Sequence, residues 1–488
     1  MLPLVRRIFT LPRILLVATL AATPVLAGAP PTVADERAEK IIREVSSQAP
    51  GLLARYIRID TTNPPGNELA GVELLASVLA ETGTEAKIFE PVAGRGNLYA
   101  RLTGTAEERP VILLSHVDVV PAEAAGWKRA PQSGVLAAGR VHGRGALDAK
   151  GVGITQLLAF TALAKLAAEL DIHLRRDVIL LATADEETGG RPGARWMIEE
   201  KFDLFGDAEF VLNEGGFIRA VNGEGEARGA QPLIYNLNAG EKGPCWFTVI
   251  ARGEPGHASR PAPVTAVTRL VEALDVLVQW ERPYEVGPVV AGYYAAYAAL
   301  AKDHERQFRQ LDRSLEDPEF REWFMSDPGA AALVRDTLTP TVLRASQATN
   351  IVPAEASADV DARLLPGHDC DSFLRDVRKR IGSPHVRIEP SDVAFSSSQS
   401  PLSNALTEAV DRLAAAEPGG AVVLPGLQSG FTDSHYFRAR GIAAYGFTPI
   451  LITPAQRAGV HGRDENVAAA ELVTGVERLV RLLRELSR

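Results

Sequence analysis

The sequence predicts an α/β protein: a largely parallel sheet flanked by helices, with a second, α+β unit inserted into it. Three observations predict it. Short apolar runs alternate with Ala/Leu-rich stretches of helical period, the pattern of strand–helix repeats that feed a parallel sheet. Several of those runs end abruptly in His, Asp or Glu, and in open α/β sheets ligands collect beyond the carboxyl ends of the strands. Near Glu241 the pattern changes to strands rich in β-formers and to strict alternation.

Size and charge narrow the class. A chain of 488 residues, 46% of them apolar, can bury a large core and divide into two domains. The formal charge is -9, with Lys and Arg interspersed among acids, so nucleic acid lacks its electrostatic footprint as a partner. A small-molecule substrate is the expectation.

Taken in order, residues 1–27 read as a signal segment. Arg6, Arg7 and Arg13 precede the apolar run Ile14 to Ala22, and Val25-Leu-Ala27 offers a small-residue cleavage site. The protein is therefore expected to be secreted or periplasmic, with an uncleaved anchor as the alternative. The apolar run falls short of the roughly 20 residues of a spanning helix, and no stable span is expected in the mature chain.

Asp35 to Ile59 has helical spacing, and Asp60-Thr-Thr-Asn-Pro-Pro-Gly-Asn67 is turn chemistry. Buried strands are expected at Val111 to Ser115, Val178 to Thr183 and Phe210 to Leu212, with a helix starting near Gly151. These place a first unit over 35–240. Pro244 to Ile250 reads as a strand, Val264 to Trp280 as an amphipathic helix, Ala291 to Leu338 as helical, and Ala356 to Arg363 as a half-buried strand. They make 241–366 the insert, after which the first unit resumes over 367–488 and ends in the helix Ala469 to Leu486. Cys245 and Cys370 are read as two separate buried thiols, with pairing in an oxidising compartment as the alternative, since spacing alone does not bring sulfurs together.

The polar strand ends carry the chemistry. Val111-Ile-Leu-Leu-Ser-His-Val-Asp118 closes on His116 and Asp118, and Asp148, Glu186, Glu187, Glu214 and His461 follow in similar settings. Mixed imidazole and carboxylate donors are what two divalent ions need, with one carboxylate shared between them, and they suit zinc first, with cobalt or manganese as substitutes. Asp118, two residues beyond His116, is placed to fix the imidazole tautomer. Adjacent Glu186 and Glu187 have diverging side chains, so one can bind metal while the other handles protons.

Seven segments make the pattern specific: Ser115-His-Val-Asp-Val-Val-Pro121, Gly143-Arg-Gly-Ala-Leu-Asp-Ala-Lys150, Asp185-Glu-Glu-Thr-Gly-Gly190, Asn213-Glu-Gly-Gly216, Gly256-His-Ala-Ser259, Asn350-Ile-Val-Pro353 and His461-Gly-Arg-Asp-Glu465. Together they resemble the dinuclear zinc metallopeptidase family of carboxypeptidase S, aminoacylase, the bacterial glutamate carboxypeptidases and succinyl-diaminopimelate desuccinylase. The long helical insert resembles the carboxypeptidase S and N-fatty-acyl amino acid hydrolase branch.

That resemblance implies a phosphorylase/hydrolase-like catalytic domain with an inserted lid, or dimerisation, domain. It implies two zinc ions, Asp148 bridging, His116 and Glu214 on one ion, Glu187 and His461 on the other, Asp118 orienting His116, and Glu186 as general base. His257 would reach an active site to stabilise the oxyanion, often that of a neighbouring subunit in a homodimer. Asn350, Arg363, Gly430 and Thr432 would contact substrate, with Arg363 gripping a free carboxylate. The implied activity is hydrolysis of the amide bond of short peptides or N-acyl amino acids; an aminoacylase confined to N-(fatty)acyl amino acids, a non-catalytic binding protein and a two-metal phosphoesterase are the alternatives. Two positions depart from the pattern: relatives commonly have aspartate at Asn213 and arginine at His435.

Overall fold

A computed structural model of the chain describes residues 32–221 and 232–487; residues 1–27, read from the sequence as a signal segment, lie outside them. The principal strands in chain order are β1 (Ala86–Val92), β2 (Arg95–Leu102), β3 (Glu108–His116), β4 (Arg176–Thr183), β5 (Phe210–Ala220), β6 (Leu233–Glu241), β7 (Gly243–Arg252), β8 (Thr337–Arg344), β9 (Glu355–Leu364), β10 (Val386–Ala394), β11 (Ala421–Gln428) and β12 (Ala443–Leu451). The main sheet runs β1-β2-β4-β3-β5-β12-β6-β11. Its centre, β4-β3-β5-β12, is parallel, as is the β6–β11 edge. Pairing is antiparallel from β1 to β4 and between β12 and β6.

Burial on both faces explains the unbroken apolar runs of β3 and β4. Val111 and Leu113 point into one core layer with the helices Val33–Ser46, Ala49–Ile57, Lys150–Leu170 and Ala469–Leu486. Ile112 and Leu114, one residue out of phase, face the other layer with Met197, Phe205 and Phe437. Lys150–Leu170 is long and apolar enough to cross a membrane, with mean hydropathy 1.5. It is the central core helix, buried along 16 of its 21 residues. A Cβ on Gly151, in its first turn, would strike the Ala146 carbonyl, so only glycine lets the helix start beside the loop that carries Asp148.

The insert has its own sheet, β8-β9-β7-β10, all antiparallel. The helices Ala266–Val278 and Cys370–Ile381 pack on one face of it around Phe247, Val249, Leu270, Phe373 and Leu374. Two boundaries read from sequence are corrected here. The first unit does not resume at residue 367, because Cys370–Ile381 and β10 belong to the second sheet, with Val386 opposite Ala251. The helical stretch read to Leu338 breaks into short helices ending with Pro328–Leu333, and its last two residues, Thr337 and Leu338, instead open the sheet's edge strand Thr337–Arg344. Cys245 and Cys370 are a disulfide, with Cα atoms 5.5 Å apart, not two separate thiols. The bridge pins the start of the Cys370–Ile381 helix to β7.

The chain enters and leaves the insert at one place. Phe395 N–H donates to the Pro244 carbonyl at 3.2 Å, Ser400 N–H to the Ala239 carbonyl at 2.7 Å, and Gly240 pairs with Gln399.

Candidate metal centre and active site

β3, the loop before Lys150–Leu170, the turn after β4, the middle of β5 and the loop before Asn466 bring five polar side chains together. His116, on the last residue of β3, is 2% exposed. Its Nδ1 lies 2.9 Å from the Asp118 carbonyl, which can only accept, so Nδ1 carries a proton and Nε2 is the nitrogen turned to the acids. Nε2 is 3.0 Å from Asp148 Oδ1 and 3.4 Å from Glu214 Oε2. The other oxygen of Asp148, Oδ2, is 3.1 Å from His461 Nε2, which lies 3.2 Å from Glu187 Oε2. Asp148 thus turns one oxygen to each imidazole, with Glu214 and Glu187 on the two flanks. Donor atoms of His116, Glu186 and Glu214, and of His116, Asp148 and Glu187, lie within 4.8 Å of one another.

Local backbone places these groups. Glu214 sits mid-strand in β5, and Gly216, at φ 59°, takes a conformation that puts its Cα against the Gly446 carbonyl, where any Cβ would collide. Glu186 and Glu187 open a 3-10 turn, Glu186–Thr188, entered through Asp185 at φ 71°. Asp185 is held there by Arg95 Nη2 at 2.6 Å, whose Nε donates to Glu68 at 2.7 Å. His461 itself is left-handed, at φ 55°; side chains rarely adopt that conformation outside sites that over-determine it.

Asp118 acts on both sides of the cluster. Its carbonyl orients His116, and its carboxylate accepts from the Glu186 and Glu187 backbone N–H groups, each at 3.2 Å, and from Asn63 Nδ2 at 2.8 Å. Burial pushes its pKa up, but His116 and these donors outweigh it and hold the carboxyl below the ordinary range. Asn63 escaped the sequence reading, hidden in the turn Asp60–Asn67. So did Glu465, fully buried, which accepts from Leu147 N–H at 2.7 Å and Asp148 N–H at 3.1 Å on one oxygen, and from Gly145 N–H at 3.0 Å and Arg144 Nη1 at 2.8 Å on the other. Arg144 Nη2 in turn donates to the Gly462 carbonyl at 2.8 Å. One carboxylate therefore ties the Asp148 loop to the His461 loop; the only sequence signal was its place four residues after His461.

Crowding of acids around two imidazoles sets the electrostatics. Burial pushes Glu214 up to about 8, partly countered by His116. Hydrogen bonds to Asp148 and Glu187 push His461 up to about 10. Burial, with the charge of Glu214 next, holds the Glu186 carboxyl well above the usual carboxylate range. A divalent cation among these oxygens would relieve the same crowding. Glu187 Oε1 is buried without a hydrogen-bond partner among the described residues, the orphan acceptor such a cation would satisfy. The donor set fits a metal pair.

The remaining predicted residues lie elsewhere. His257 is exposed, on the short strand Gly256–His257 paired with Ile351–Val352, and its Nδ1 is 2.8 Å from Ser259 Oγ. Asn350 is exposed beside it, its carbonyl accepting from Ala258 N–H. Arg363, on β9, pairs with Asp361 at 2.7 and 3.0 Å. Thr432 donates its hydroxyl to Glu241 Oε2 at 2.9 Å, an acid also held by Arg438, so it braces its loop. A Cβ added at Gly430 would meet nothing closer than Gln428 Nε2 at 3.7 Å, so nothing nearby demands glycine there. Asn213 turns away from the cluster and donates to Ser434 Oγ at 3.0 Å, leaving Glu214 as the donor.

Residues 112–485 match the model of peptidase family M20/M25/M40. The chain belongs to that family. As an M20 protein it is a metal-dependent enzyme of peptidase type, and the family expectation drawn from the seven segments holds. It is 26% identical over 390 residues to the N-fatty-acyl-amino acid synthase/hydrolase of Mus musculus, covering 78% of this chain and 74% of that one. It is 26% identical over 459 residues to aminoacylase-1 of Sus scrofa, covering 91% and 97%. The fold matches an M20 family metallo-carboxypeptidase from Sulfolobus solfataricus with TM-score 0.68 at 19% identity, over 89% of this chain and 98% of that one.

Proposed function

We propose that this M20 enzyme hydrolyses the amide bond of short peptides and N-acyl amino acids that bear a free carboxylate. The observation that carries the reading is Asp148, whose two oxygens face His116 and His461 at 3.0 and 3.1 Å with Glu186 beside them. Asp148, His116, Glu214, Glu187 and His461 would hold two zinc ions, which when bound supply Lewis acidity and lower the pKa of the attacking water. Glu186, whose buried carboxyl has a raised proton affinity, takes the proton from that water on a carboxylate oxygen and hands it to the leaving nitrogen. Asp118 keeps His116 in one tautomer. Arg363 binds the substrate carboxylate, and Asn350 approaches the substrate from the insert.

His257 acts in trans. It has no hydrogen bond to a residue of the cluster in its own chain, and the insert exposes apolar side chains, Leu343 at 69%, Val271 at 61% and Ile351 at 54%, which a second copy would cover. We read residues 1–27 as an export signal, giving a secreted or periplasmic enzyme.

Purified protein with added zinc is offered dipeptides, N-acetyl and long-chain N-acyl amino acids, and an aryl phosphate. Amide turnover is expected, and Glu186→Ala should cut kcat by about 10²–10⁴ while metal content stays unchanged. Turnover of the phosphate alone, or amide hydrolysis indifferent to Glu186→Ala, would sink the reading.

A further inference from the structure

Three polar atoms without partners lie in one aromatic cluster between the insert and the metal centre. Arg363 spends Nε and Nη2 on Asp361, and its Nη1 is buried with no partner among the described residues. Its guanidinium stands 5.1 Å from the Trp246 ring centroid and 5.2 Å from that of Phe431. Trp246 Nε1 is likewise buried and unpartnered. Phe431 continues through Phe395, centroids 5.6 Å apart, to His435, whose ring stacks on Phe395 at 3.5 Å. His435 Nδ1 is 2.7 Å from the Thr432 carbonyl and so carries the proton there, leaving Nε2 as a buried acceptor with no donor. Burial keeps the imidazole neutral, pushing it down to about 3. The next residue back, Ser434, hydrogen bonds Asn213 beside Glu214, and Asp433 accepts from Thr183 at the end of β4. The cluster therefore abuts the catalytic strand ends.

Leaving a buried polar group unpaired is costly, and one ligand that pairs all three would satisfy the cluster at once. Two are N–H donors on touching side chains and one is an acceptor. The complement is a molecule with a carboxylate and, a few bonds away, an N–H.

We propose that Trp246 and His435 complete the amino-acid subsite begun by Arg363: the indole N–H joins guanidinium Nη1 on the substrate carboxylate, and His435 Nε2 accepts the N–H of the scissile amide. The inference rests on the amide-hydrolase reading above. It assigns a substrate class within that reading: secondary amides of α-amino acids, with the tertiary amides of proline and N-methyl amino acids disfavoured because they bring no N–H to His435.

Steady-state kinetics on an N-acyl amino acid, its carboxamide and its N-methyl analogue test this. Trp246→Phe, which keeps the ring under Arg363, should raise KM for the carboxylate about tenfold with kcat within twofold, and leave KM for the carboxamide unchanged. His435→Phe, which keeps the stack on Phe395, should abolish the preference for the N–H substrate over its N-methyl analogue. Trp246→Tyr puts the same question if Trp246→Phe fails to melt cooperatively. Wild-type turnover of the N-acyl amino acid with KM unmoved by the Trp246 variants, or moved equally for carboxylate and carboxamide, refutes the Trp246 contact. A methyl preference unmoved by His435→Phe refutes the other. Absence of wild-type amide turnover instead overturns the parent reading, and this inference with it.

Discussion

Glu465→Gln is the most searching perturbation of the metal centre, because it removes no ligand. In the wild type one oxygen of Glu465 accepts from the Leu147 and Asp148 amides, and the other from the Gly145 amide and Arg144. Glutamine has one carbonyl oxygen, so its NH2 must face one of these donor pairs and lose both contacts. At about 1.5–3 kcal/mol for each hydrogen bond to a charged group, the loss is about 3–6 kcal/mol. Part of it falls on the position of Asp148, whose own N–H is among the donors, and part on the His461 loop through Arg144 and Gly462. Outer partners of metal ligands typically control about 10–100-fold in metal affinity, and that is the expected fall in zinc affinity, measured by chelator competition on protein that still melts cooperatively. Zinc affinity within twofold of wild type in a folded variant would refute the idea that Glu465 sets the ligand geometry.

Two further outcomes concern stability. Reducing the Cys245–Cys370 disulfide, which closes a loop with sequence separation 125, should lower the insert's opening free energy by about 2–5 kcal/mol. Hydrogen exchange should then quicken in β7 but not in β3, and unchanged β7 protection would count against it. Glu417 accepts from Arg478 Nε at 2.6 Å and from the Tyr235 hydroxyl; burial opposes them, but Arg478 and Tyr235 hold its carboxyl below the ordinary range. Its stabilisation is full above the unfolded carboxylate pKa and fades as pH falls through the lowered folded value. Glu417→Gln should therefore cost about 3 kcal/mol at pH 7, with the gap to wild type closing on acidification in urea titrations; a gap independent of pH would be the wrong outcome.

What the sequence disclosed and what it hid follow from where each residue's energy lies. β3, β4 and β5 were legible because burial on both faces writes an unbroken apolar run, and their ligands because a charged residue at the end of such a run has no packing purpose. β10 was illegible. It is an edge strand with one buried residue, Ile388, and Pro390 in its middle, so nothing in its composition separates it from a loop, and the insert was closed too early. The disulfide depends on a meeting of β7 and the Cys370–Ile381 helix that no local pattern encodes. Glu465 was hidden for a related reason: its partners are mostly backbone amides, which have no side-chain identity to read. His435 stood out only as a departure from relatives, and its neutral, stacked state belongs to Phe395 and Thr432 rather than to its own segment.

The place where the chain passes into the insert and back has an evolutionary corollary. Pro244 and Phe395 are hydrogen-bonded neighbours although about 150 residues separate them in sequence, and Ala239 and Ser400 close the same gap one step further in. A host whose two attachment points already touch sees an inserted module as a short turn, whatever the module's size. The insert's own sheet can therefore change without asking any strand of the metal-bearing sheet to move. On the proposed role of Arg363 in holding substrate from the insert side, substrate choice would be free to diversify while the hydrolytic chemistry stays fixed.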